Sequence, residues 1–204
     1  MKITTAQLRR YGKPVAFLLL AWPALWLGYN WYLQFQYLPN GLGFNPQEAT
    51  HRWTGDWAMR FLILSLALTP LSKVIKSPKP ILFRRMVGVY AFFYVCLHLV
   101  NYVWLDKFFA WGEIWLDILK RNYITIGMIC FLLLIPLAVT STKGWVKRMG
   151  ARRWQKMHKL SYVIAPLVIV HFFMMRKGFQ IEPLIYGAVL AALLAFRLPK
   201  LFKR

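Results

Sequence analysis

Residues 152–175 read RRWQKMHKLSYVIAPLVIVHFFMM, and this stretch decides the fold. A basic, Trp-containing collar runs into an apolar segment that, with its flanks, is long enough to cross a bilayer, so it is read as one membrane helix. His158 sits near one end and His171 near the other. At about 1.5 Å of rise per residue they are roughly 20 Å apart along the axis, a separation that suits two cofactors at two depths. On an ideal helix the two side chains would also point roughly 140° apart, and Pro166 between them is expected to re-phase the helix.

The rest of the chain has the same character. Of its 204 residues, 59% are hydrophobic and 17% aromatic, and the mean hydropathy is +0.45, too apolar for a soluble domain of this size. Apolar runs of about 20 residues mark membrane helices. They predict an all-α membrane protein, a six-transmembrane-helix bundle in a single domain over residues 1–204. The expected spans are Pro14–Leu33, Trp57–Ile75, Met86–Leu105, Tyr123–Val139, Leu160–Met175 and Glu182–Leu198. The first is read as a retained helix, since no small-residue cleavage site follows it in YNWYLQFQ.

A net charge of +21 raises the question of nucleic acid, and the placement of the charges answers it. Lys and Arg recur in alternate connections: Arg9 and Arg10, then Lys73 to Arg85, then Lys143 to Lys159, then Arg197 to Arg204. All six acids fall in the other connections. By the positive-inside rule both termini are expected to be cytoplasmic. The basic excess then reflects topology and affinity for anionic lipid headgroups, and no nucleic-acid partner is implied. The outer connection FFAWGEIWLDILK has near-helical apolar spacing and is expected to form an interfacial helix.

Inside lipid an imidazole is costly unless paired or ligated. One reading has each histidine bridging helices through a hydrogen bond. A second follows from depth. His98, in YAFFYVCLHLVNY at 90–102, and His171 fall at similar depth near the outer face on different helices, as two axial ligands of one heme iron require. His158 lies at the inner depth with no histidine partner, and Arg85 stands where one is expected, with Arg84 beside it. The two arginines serve as positive-inside anchors or as partners of propionate or phosphate. His51 is placed in the outer loop, exposed or interfacial. Cys96 and Cys130 form no CxxC pair and read as inert buried thiols. No phosphate loop, HExxH motif or catalytic Ser/His/Asp set is visible, and no acid lies within a span.

The segments FRRMVGVY…LHLVNY, RNYITIG, TSTKGWVKRMGARRWQKMHKLSY and EPLIYG resemble the MsrQ (YedZ) family of heme-binding membrane subunits, within the wider ferric reductase-like transmembrane group. The resemblance covers roughly Thr54 to Arg197. It implies a multi-pass b-type cytochrome of the bacterial inner membrane, an electron-transfer subunit rather than the catalytic one. Electrons would come from the quinone pool or a cytoplasmic flavin reductase. They would go to a periplasmic molybdopterin-containing, MsrP-like subunit that repairs oxidised protein methionine. Carried over residue by residue, the heme-iron histidines are His98, His158 and His171, with one heme b or two, and FMN as a further cofactor. Arg84, Arg85 and Arg121 are candidates for anionic cofactor groups. The wider group has four heme histidines, and here Arg84-Arg85 occupy the fourth place. HRWTG is one residue longer than the family's HxTG, so no role transfers to His51. Two other functions stand beside this one: a transmembrane ferric or cupric reductase acting on external ions, and a non-redox transporter or assembly protein whose histidines bridge helices.

Overall fold

The computed structural model describes residues 4–175 and 180–197. The described residues are predominantly helical, with no strand among them. The chain forms two compact units, Met1–Ala110 and Trp111–Arg204.

In the first unit, Thr4 caps a short helical lead-in that passes through a π-helical turn at Leu8–Gly12 into α1, Lys13–Phe35. The other two long helices of the unit are α2, Pro46–Val74, and α3, Ile81–Asn101, the latter continued by a π-helical segment, Tyr102–Asp106. Pro23 removes one N–H from the middle of α1. Beside it the Tyr94 hydroxyl, fully buried, accepts from Ala24 N–H at 2.8 Å and donates to the Leu20 carbonyl at 3.1 Å. Trp53 Nε1–H donates to the Pro23 carbonyl, and the Tyr90 hydroxyl to that of Phe17. These side chains from α2 and α3 dock the kinked helix, and each interhelical bond of this kind contributes about 0.6–2 kcal/mol in a membrane setting.

α2 starts at Pro46, well before the Trp57 expected from hydropathy. Asn45 caps it by accepting from Glu48 N–H, with Pro46 in the first turn. Hydropathy misses this part of the helix because it is polar. His51 therefore lies on a helix and not in a loop. Similarly α3 begins at Ile81, so Arg84 and Arg85 stand in its opening turns.

The second unit comprises α4, Trp111–Lys120; α5, Asn122–Val139; α6, Lys143–Met149; α7, Ala151–His158; α8, Ser161–Met175; and α9, Ile181–Ala195. α4 is the expected amphipathic helix, burying Ile114 and Asp117 and exposing Trp111, Trp115 and Leu119. Gly150, at φ +79°, turns the chain between α6 and α7. The stretch 152–175 departs from the single expected helix. A turn at Lys159–Leu160 separates α7 from α8, with i→i−3 bonds from Leu160 N–H to Met157 and from Tyr162 N–H to Lys159. The re-phasing expected at Pro166 thus occurs just after His158.

Four helical stretches are long and apolar enough to cross a membrane: Pro46–Val74, Ile81–Asp106, Asn122–Val139 and Ala151–Met175. α1 has the length, 23 residues, but carries Asn30, Gln34 and two prolines. α9 is apolar but has 15 residues, and its expected end at Leu198 lies outside the described residues, as do Lys200 to Arg204. The chain is thus an all-helical membrane protein with four candidate spans among the described residues.

Candidate heme-ligating histidines

In the first unit a buried polar seam sets the register of α2 against α3. Trp31 Nε1–H donates to Thr50 Oγ1, and Thr50 Oγ1–H donates back to the Pro46 carbonyl. Thr54 Oγ1–H donates to the Thr50 and His51 carbonyls, and Asn101 Nδ2–H reaches Thr54 Oγ1 at 3.1 Å. Thr50 and Thr54 are 2% and 0% exposed, so these bonds work without competition from solvent. One helical turn before Asn101 stands His98. Its Nδ1 is 3.0 Å from the His51 carbonyl. A carbonyl only accepts, so Nδ1 carries the proton and Nε2 is the unprotonated nitrogen, the one that can act as a metal ligand.

Against the His98 ring lies Gly55. A Cβ built there would stand 3.0 Å from His98 Cε1 and 3.1 Å from Nδ1, tighter than nearly all real Cβ contacts, so the ring would have to give by a few tenths of an ångström. On the other side the His51 ring lies 3.9 Å from the His98 ring, centroid to centroid, with its Nδ1 3.5 Å from Asp106 Oδ2. The His51 side chain is 17% exposed. His51 is thus partly buried, its ring tilted 43° against that of His98.

The second unit contains the same device. His171 Nδ1 is 2.7 Å from the Tyr123 carbonyl at the start of α5. A Cβ at Gly127 would stand 2.9 Å from His171 Cε1 and 3.1 Å from Nδ1. Here too the carbonyl selects the tautomer with Nε2 bare. At its N-terminal end α5 is tied to α4 by the Arg121 Nε–Asp117 ion pair at 3.0 Å and by Thr125 Oγ1–H donating to the Ile118 carbonyl.

His158 is held differently. Its Nδ1 is 3.1 Å from the carbonyl of Trp154 on its own helix, and its ring stacks on the Trp154 indole at 3.8 Å. The indole N–H is anchored to the Thr140 carbonyl at the end of α5. In all three sequence-expected histidines Nδ1 lies at hydrogen-bond distance from a backbone carbonyl.

The candidate arginines are spread over both units. Arg84 reaches Thr69 Oγ1 at 3.3 Å, Arg85 is exposed, and Arg121 divides its guanidinium between Asp117 and the Tyr123 hydroxyl. Sequence reasoning missed His51, Gly55 and Gly127. The signal for the glycines was faint: both close a five-residue stretch, HRWTG and YITIG, whose first carbonyl is the histidine acceptor.

The ferric reductase like transmembrane component family matches residues 54–169, a stretch that contains Gly55, His98, Gly127 and His158. A protein of Caulobacter vibrioides named protein-methionine-sulfoxide reductase heme-binding subunit MsrQ is 47% identical over 86% of this chain and 80% of its own length. A protein of the same name from Rhodospirillum rubrum is 46% identical over 96% of this chain and 91% of its own, and one from Polaromonas naphthalenivorans is 46% identical over 91% and 83%. With the match extending over most of both chains in each case, this protein belongs to the MsrQ family, within the ferric reductase-like transmembrane group.

Proposed function

We propose that this chain is the heme-binding subunit of a protein-methionine-sulfoxide reductase system, a b-type cytochrome that carries electrons across the bacterial inner membrane. His98 and His171 would hold its heme b. The observation that carries this reading is the matched pair of seats, each with Nδ1 committed to a carbonyl of a neighbouring helix and Nε2 left as a Lewis base. When bound, the heme supplies a one-electron Fe(III)/Fe(II) couple. The chain's own residues orient the imidazoles and raise the basicity of Nε2 through the Nδ1–H bonds.

His158 serves a second, inner redox site, either another heme or an FMN, with Arg84, Arg85 and Arg121 as candidates for propionate or phosphate groups. The whole chain works as one domain with six spans and cytoplasmic termini, α1 and α9 completing the four long apolar helices. The alternation of basic and acidic connections supports that orientation. Electrons enter on the basic inner side from quinol or a cytoplasmic flavin reductase. They leave to a periplasmic molybdopterin-containing, MsrP-like partner.

The test is a dithionite-reduced minus oxidised visible spectrum of detergent-purified protein, with heme and flavin extracted and quantified. A b-type signal lost in both His98→Ala and His171→Ala is expected. Colourless wild-type protein after expression with ample heme would end this reading. Reduction of external ferric ions at full rate without a periplasmic partner would favour direct metal reduction.

A further inference from the structure

The two histidine seats share more than a ligand type. Each is built by a helix pair in which the first helix contributes a carbonyl and, one turn later, a glycine, while the second contributes the imidazole. In the first unit these are His51 O, Gly55 and His98; in the second they are Tyr123 O, Gly127 and His171. The carbonyl holds Nδ1 and the glycine lies against the Cε1 edge, so each ring is constrained at two adjacent atoms. A third constraint, the side-chain bond to Cα, leaves Nε2 little freedom to wander.

We propose that Gly55 and Gly127 are positioning residues for the heme ligands, setting how close each imidazole approaches its neighbouring helix and hence where Nε2 is presented. This rests on the heme reading above. A methyl group at either position stands 2.9–3.0 Å from Cε1, so the ring must shift. It cannot shift without lengthening the Nδ1–H bond or swinging Nε2 off its line. Outer partners of metal-ligating histidines characteristically affect affinity by roughly 10–100-fold when disturbed. The glycines act through the same ring, so their substitution belongs in that range. Gly28, exposed on α1 with open space where a Cβ would go, offers a control free of any histidine contact.

Two measurements test the inference. Gly55→Ala and Gly127→Ala are expected to lower heme affinity roughly 10–100-fold. They are also expected to shift the low-spin electron paramagnetic resonance signal of the heme they retain, while Gly28→Ala matches wild type. Wild-type affinity and an unshifted signal in both glycine variants would overturn the proposal. Independently, 15N-histidine NMR of heme-free wild-type protein is expected to report protonated Nδ1 and bare Nε2 for His98 and His171, assigned with His98→Gln and His171→Gln. Protonated Nε2 at either residue would overturn the seat even if the alanine variants failed to fold. A wild-type chain that binds no heme would defeat the heme reading, and the NMR result would still decide the seats.

Discussion

At Tyr94 one hydroxyl bridges a backbone donor and acceptor in a neighbouring helix, next to the proline that interrupts its ladder. Removing that oxygen leaves Ala24 N–H and the Leu20 carbonyl without their bridge in a water-poor setting. Tyr94→Phe is therefore expected to cost about 1–2 kcal/mol, read from unfolding in mixed micelles. Its heme spectrum should stay as in wild type, because the hydroxyl serves α1 and neither histidine. A stability equal to wild type would mean that the α1 backbone closes its own ladder. The histidines show the same logic of one atom deciding a role. His51 and His98 lie on the same unit with their rings in contact, yet only His98 has Nδ1 on a carbonyl. His51 instead turns Nδ1 toward the Asp106 carboxylate. The two rings thus differ in what Nδ1 faces, a backbone carbonyl at His98 and a carboxylate at His51.

Among the elements, the first turns of α2 matter beyond their length, because they carry the His51 carbonyl and lead to Gly55. Asn45 holds that end through its side-chain bond to Glu48 N–H. Asn45→Ala should cost about 1 kcal/mol and fray the helix start. Hydrogen exchange is expected to quicken over residues 46–51 and to spare α3; unchanged exchange would show that the polar seam at Thr50 and Thr54 holds the turn alone. The corner between α6 and α7 is the second sensitive element. Gly150 adopts φ +79° and ψ 147°, a nearly glycine-only region that costs other residues about 1–3 kcal/mol. Gly150→Ala is expected to disturb α7, which carries both Trp154 and His158, and to alter any inner redox signal while leaving the outer one intact. Equal effects on both signals would contradict the separate seating of His158.

For the whole molecule, the contrast between basic and acidic connections makes a testable claim about assembly. Charged surfaces steer association more than they fix affinity, and salt screens them over about 8 Å at physiological ionic strength. Association with an external redox partner is expected to slow steeply as salt rises from low to physiological levels, measured by stopped-flow reduction of that partner. Salt-independent rates would remove the acidic residues Glu48, Asp56, Asp106, Glu113 and Asp117 from any docking role. Orientation is checked separately. Cysteines introduced at Arg10 and at Lys107 should react with an impermeant thiol reagent from opposite sides of sealed vesicles, and labelling from one side alone would break the six-span topology.

Sequence by itself determined that this chain is helical and membrane-bound, because hydropathy and residue type are properties of each segment taken alone. It also carried the family, since motifs such as YITIG and WQKMH survive as strings. What only the tertiary structure decided was the state of each imidazole. The acceptors that select the His98 and His171 tautomers come from residues 47 and 48 positions away, and they are backbone carbonyls, which no side-chain pattern announces. The glycines were silent for a related reason: their role is the absence of an atom, visible only once another helix brings a ring against the place where it would have been. The polar opening of α2 escaped hydropathy for the opposite reason, because it is held by a cap and by hydrogen bonds rather than by apolar length.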